Sequence, residues 1–67
     1  MIDITVNGQV HPMPAGSTVL DVLKHLDLEG KRLAVEMNGE IVPKSQHALT
    51  PLADQTCLEI VIAVGGG

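Results

Sequence analysis

Only one stretch of this 67-residue chain repeats with the period of a helix. In PAGSTVLDVLKHL, Val19, Val22, Leu23 and Leu26 recur at i, i+3, i+4 and i+7. Leu20 flanks that stripe, and Asp21, Lys24 and His25 fall on the polar side. Everything else reads as short period-two segments and turns. A single amphipathic helix must bury its stripe, and the only surface on offer is one face of one sheet. That requirement removes helical bundles, sandwiches and doubly wound folds together.

The strand segments follow a repeated grammar. IDITV places Ile2, Ile4 and Val6 on one face, with Asp3 and Thr5 on the other, and Asn7-Gly8 predicts a hairpin. Apolar matching favours a bulged register that pairs Ile4 with Val10; a strict two-residue turn would pair Ile4 with His11 and turn Val10 outward. Pro12 makes QVHPM an edge strand, because proline donates nothing to an inner ladder. Thr18 followed by Asp21 is a short capping box with Ser17 as the competing cap, and the glycine of DLEGKR ends the helix. RLAVEMNGEIV repeats strand, Asn38-Gly39 and strand up to Pro43. PKSQHALTPLADQT reads as a loop with one buried turn around Leu49 and Leu52. CLEIVIAV is the most apolar segment and suits a central strand. Leu58, Ile60, Ile62 and Val64 would then face the helix, leaving Glu59, Val61 and Ala63 on the open face.

The order β-β-α-β-β-β, with the first and last strands together at the sheet centre, predicts an α+β chain. Its fold class is a ubiquitin-like β-grasp, a mixed sheet of four to five strands with one main helix on one face. The domain spans 1–64, followed by a C-terminal glycine tail over 65–67. With 45% hydrophobic residues and no Phe, Tyr or Trp, its core is aliphatic.

Several function classes fall away. One cysteine forms no internal disulfide, and His11, His25 and His47 lack metal-ligand spacing. Those histidines read as solvated surface residues, and Cys57 as a packing residue. MIDITV has no basic lead and already alternates, so it is not a signal peptide, and no apolar run approaches the roughly 20 residues of a membrane span. The net charge of −4 repels phosphate backbones, so nucleic acid is not an expected partner. The expectation is a cytoplasmic protein, monomeric when free, without nucleophile–base pair, phosphate loop or metal.

What remains is VGGG. Glycine buries nothing and loses the most conformational entropy when ordered. Three in a row at Gly65, Gly66 and Gly67 are a linker, or a segment that something else must grip.

A β-grasp of this size ending in Gly-Gly resembles the ThiS family of thiamine-biosynthesis sulfur carriers. The likeness rests on ITVNGQ, GSTVLDVLKHL, VEMNGEIVPKSQH and VIAVGGG, and it covers essentially the whole chain. The chain departs from the family pattern at ADQT, where members carry Asp-Gly-Asp, and at Glu36-Met37, where a shorter aliphatic pair is usual. The resemblance implies that the Gly67 carboxylate is adenylated by a ThiF-like enzyme using ATP, and that a persulfide sulfur source converts it to a thiocarboxylate. That group would deliver sulfur to a ThiG-like thiazole synthase. Gly66 and Gly65 would let the tail enter narrow channels, with Gly65 as a hinge. Glu59, Val61 and Ala63 would belong to the partner-docking face. The domain itself would be a carrier and no enzyme, binding no cofactor. Alternatives are the small subunit of molybdopterin synthase, another ubiquitin-like sulfur carrier, or a binding module that acts through its sheet alone.

Overall fold

Asn7 and Asn38 both adopt positive φ, 49° and 51°, and the glycine after each lies at 83° and 90°. Two successive residues in that region make a type I′ turn, whose twist matches that of the strands it joins. These turns set both hairpins. The computed structural model describes residues 1–63. In it β1 (Ile2–Val6) and β2 (Gln9–Met13) form the first hairpin, and α1 (Val19–His25) follows. Next come β3 (Leu33–Met37) and β4 (Glu40–Val42), a 3-10 helix over Lys44–Leu49, and β5 (Cys57–Ile62). The sheet order is β2-β1-β5-β3-β4. β1 and β5 pair in parallel and the other pairs are antiparallel, with α1 packed on one face. This is the mixed sheet of a β-grasp, and Pro12 sits on an edge strand as required.

The first hairpin corrects the expected register. Val6 pairs with Gln9, Thr5 with Val10 and Ile4 with His11, so the turn is a strict two-residue one. Val10 therefore points away from the core and is 58% exposed. The unbulged turn wins because Asn7 and Gly8 both take positive φ, while Met13 still fills the inner face of β2.

The core is aliphatic throughout. Ile4, Val19, Val22, Val35 and Leu58 are the largest fully buried side chains, joined by Leu23, Leu52 and Ile60. Each such side chain removed from water contributes roughly 1.5–3 kcal/mol. Thr18 caps α1, accepting from the Asp21 amide, and the Asp21 carboxylate accepts from the Thr18 amide at 2.9 Å and hydroxyl at 3.1 Å. Ser17 instead donates its hydroxyl to the Pro14 carbonyl. At the other end Asp27, not a glycine, takes the left-handed position at φ 59°. Its amide donates to the Lys24 carbonyl and that of Leu28 to the Leu23 carbonyl, a Schellman closure three residues ahead of Gly30.

The loop after β4 also differs from expectation. Leu52 is buried, but Leu49 is 69% exposed and His47 is only 6% exposed. The 3-10 helix has a three-residue period, which turns His47 inward. Its Nε2 lies 3.0 Å from the Val42 carbonyl oxygen, so this histidine is buried and satisfied beside the core and is not a solvated one. His11 is half-buried and its ring meets that of His25 edge-on, 5.9 Å between centroids. Cys57 is exposed rather than packed, because it faces away from α1 at the start of β5.

Candidate functional site

The candidate site is built on β5. Leu58 and Ile60 are buried beneath α1, and the intervening Cys57, Glu59 and Val61 are exposed. Ile62 lies on the inner face but is 42% exposed, where the core thins toward the end of the strand. The inward–outward assignment read from the sequence holds through this strand. Pairing with β3 runs from Met37–Leu58 to Leu33–Ile62, and the Ala63 amide donates to the Arg32 carbonyl at 2.9 Å. The ladder thus holds the chain up to Ala63, which is itself exposed. Val64, Gly65, Gly66 and Gly67 lie outside the described residues, and with them the boundary drawn between domain and tail.

Around Glu59 and Val61 the register assembles a surface that the sequence reading had only begun. Glu59 stands directly opposite Glu36, and Val61 opposite Ala34. Glu36 in turn pairs with Ile41 of β4, which is 61% exposed. Side chains opposite each other in antiparallel strands have Cβ atoms about 4.5–5.5 Å apart. Two carboxylates therefore sit side by side at the middle of the open face, flanked by Val61 and Ile41. Ile41 and Glu36 were legible as strand residues, but nothing in one strand announces its neighbour across a ladder. Further along the same face lie Cys57, its partner Thr5, and Val10 beyond it.

β5 is held at its start and near its middle by the two turn asparagines. Asn7 exchanges two hydrogen bonds with the backbone of Ile60, and Asn38 Oδ1 accepts from the Cys57 amide at 3.3 Å. The ADQT turn is tied to β1: the Asp54 carboxylate accepts from the Asp3 amide at 2.8 Å, and the Gln55 amide donates to the Asp3 carbonyl at 2.8 Å. Gln55 takes φ 70°, so this turn is left-handed at a residue that is not glycine. The Asp21 carboxyl is held below its ordinary range, first by the Thr18 amide, then by the Thr18 hydroxyl and the Lys24 charge. It is a structural cap, remote in the chain from β5. Among the described residues no cluster of three or more His, Cys, Asp or Glu side chains is arranged to hold a metal. No helix among them is long and apolar enough to cross a membrane.

Comparison with known proteins supplies the rest. The chain is 42% identical over 50 residues to the sulfur carrier protein ThiS of Bacillus subtilis, covering 75% of this chain and 76% of that protein. It is 41% identical over 64 residues to a thiazole synthase of Paramagnetospirillum magneticum, covering 96% of this chain but only 20% of that relative's length. Its structure superposes on the crystal structure of the thiamine biosynthesis protein ThiS from Geobacter metallireducens with a TM-score of 0.81. That match has 26% identity and covers 98% of this chain and all of the other. The model of the ThiS family matches residues 4–67. With the family model matched over residues 4–67 and the overall fold shared with a ThiS crystal structure, the chain belongs to the ThiS family.

Proposed function

We propose that this chain is a sulfur carrier for building the thiazole ring of thiamine, with the Gly67 carboxylate as its reacting group. The observation that carries this reading is the family match, which runs through Gly67 on a fold whose central strand precedes the glycines in sequence. In this reading residues 1–64 are a handle and 65–67 a tail, and the chain is a co-substrate rather than a catalyst.

A carboxylate is a poor electrophile, so sulfur transfer requires activation. A Gly67 oxygen attacks the α-phosphate of ATP within a ThiF-like adenylating enzyme, and pyrophosphate leaves. The terminal sulfur of a persulfide then attacks the acyl carbon and AMP departs. A thiol cleaves the resulting acyl disulfide, becoming oxidised itself, and the thiocarboxylate is released. Gly65 and Gly66 place no Cβ in the way of a channel wall. A thiazole synthase is the acceptor of the sulfur. The Paramagnetospirillum relative supports that partner, because a thiazole synthase there includes a stretch similar to nearly all of this chain.

The handle must also be recognised, or any peptide terminus would be activated. Glu59, Val61 and Ala63, with Glu36 and Ile41, form the docking face in this reading. Apolar side chains around two carboxylates suit a partner surface with apolar and basic parts. The domain works as a cytoplasmic monomer between partners.

The test is the intact mass of the protein after incubation with ATP, a ThiF-like enzyme and a persulfide donor. A gain equal to the sulfur-for-oxygen difference, lost on deletion of Gly67, is the expected result. No gain beside an active enzyme control overturns the reading and favours a module that acts through its sheet.

A further inference from the structure

A leucine-lined hollow lies on the helix side of the sheet, away from the acidic open face. Its cavity of about 330 Å³ opens between α1, the 28–33 connection and the 3-10 helix. Leu23, Leu28 and Leu33 form the floor, and Lys31 and Lys44 line it with Glu29. Leu33 pairs with Ile62, and its neighbour Arg32 holds the Ala63 amide. The groove thus adjoins the point where the chain leaves β5.

We propose that this groove is a second docking contact, receiving from thiazole synthase an apolar side chain flanked by carboxylates. The inference rests on the carrier reading and names a contact beyond the open sheet face. Three observations carry it. A hollow of this size is at the low end for a ligand pocket and suits one or two side chains better than a cofactor. Two of only four cationic side chains in a chain of net charge −4, Lys31 and Lys44, line it. One acid, Glu29, opposes them there, whereas the open face carries Glu36 opposite Glu59. The two faces therefore differ in charge sign, and a partner engaging the groove must be acidic where one engaging the sheet is basic. Finally, an enzyme that receives the tail is brought against the root of β5, where the leucine floor lies.

The experiment compares wild type with the Lys31→Glu/Lys44→Glu double variant, with Ala48→Trp and with Lys24→Glu. Ala48 lines the groove, so a tryptophan there fills it. Lys24 is exposed on α1 and is not among the groove's lining residues, so its variant controls for net charge. Binding to purified thiazole synthase from the same organism is measured by titration, and thiocarboxylate formation by intact mass at saturating adenylating enzyme. Circular dichroism melting checks that each variant is folded. The expected result is an affinity loss of about tenfold or more for the double variant and for Ala48→Trp, with Lys24→Glu within twofold of wild type. Thiocarboxylate formation persists in every variant. Unchanged affinity for both groove variants overturns the proposal while the mass gain keeps the carrier reading. An equal loss for Lys24→Glu, or wild type that does not bind thiazole synthase, also overturns it. Absence of the mass gain in wild type is the separate signature of a failed carrier reading.

Discussion

The side-chain amide of Asn7 holds both backbone groups of Ile60: Nδ2 donates to the Ile60 carbonyl at 3.0 Å, and Oδ1 accepts from the Ile60 amide at 2.8 Å. Backbone pairing between β1 and β5 covers only Thr5–Cys57 and Val6–Leu58 before the chain turns away. Asn7 then serves as a surrogate strand residue, extending the ladder by one step toward the end of β5. The same residue opens the type I′ turn, so its identity answers two demands at once.

Replacing it separates them. Asn7→Gly keeps the turn but removes both bonds, and two hydrogen bonds at about 0.5–1.5 kcal/mol each give a loss of roughly 1–3 kcal/mol. Urea denaturation should show a lower midpoint with an unchanged slope, and amide exchange should accelerate at Ile60, whose acceptor is removed. A midpoint equal to that of wild type would mean that these bonds are replaced by water without loss.

Glu36 and Glu59, directly opposed on the open face, set stability against recognition. Like charges facing each other across a ladder cost up to about 1 kcal/mol, so Glu59→Gln should raise the melting temperature slightly. In the docking reading it should also weaken binding to a basic partner. Stability and affinity measured on one sample decide the matter, since a variant that gains both denies the face a role.

The capping box makes the acid limb of stability depend on Asp21. Its folded pKa is depressed, so its contribution is present above the ordinary value of 3.8 and is lost as pH falls below that value through the lower folded one. Melting temperature against pH for Asp21→Asn should run flatter than wild type in that acid range. Thr18→Ala, removing the cap itself, should cost about 1 kcal/mol at neutral pH. Parallel acid limbs for wild type and Asp21→Asn would count against this linkage.

Gln55 takes left-handed backbone at φ 70° without the freedom of glycine. That conformation costs a residue bearing a Cβ about 1–2 kcal/mol, partly offset by the extra entropy that glycine loses on ordering. Gln55→Gly keeps the amide that bonds the Asp3 carbonyl, and should stabilise the fold by roughly 0.5–1 kcal/mol. Chemical denaturation is the check, and a destabilised variant would show that the Gln55 side chain contributes more than its backbone costs.

Local signals were legible where the physics is local. The stripe of α1, the Thr18–Asp21 cap, both Asn-Gly turns, the edge position of Pro12 and the alternation along β5 all follow from residues within a few positions of one another. The misreadings each needed a partner distant in sequence or a competing backbone preference. The hairpin register went to turn geometry over the burial of Val10. Asp27 supplied the left-handed helix end, and His47 rather than Leu49 turned inward once residues 44–49 took a three-residue period. Cys57 faced solvent because β5 is covered by α1 on one side only.

By itself, then, the sequence determined the kind of protein: one helix over one sheet, an aliphatic core and a terminal run of glycines. These follow from period, turn chemistry and composition, which any short window displays. Tertiary structure alone decided what stands beside what. It set Glu36 against Glu59, carried Asn7 to Ile60, and gathered Lys31 and Lys44 over a leucine floor beside the last residues of β5. Such neighbours arise when strands far apart in sequence are brought into register, and one chain read along its length holds no direct signal of that pairing.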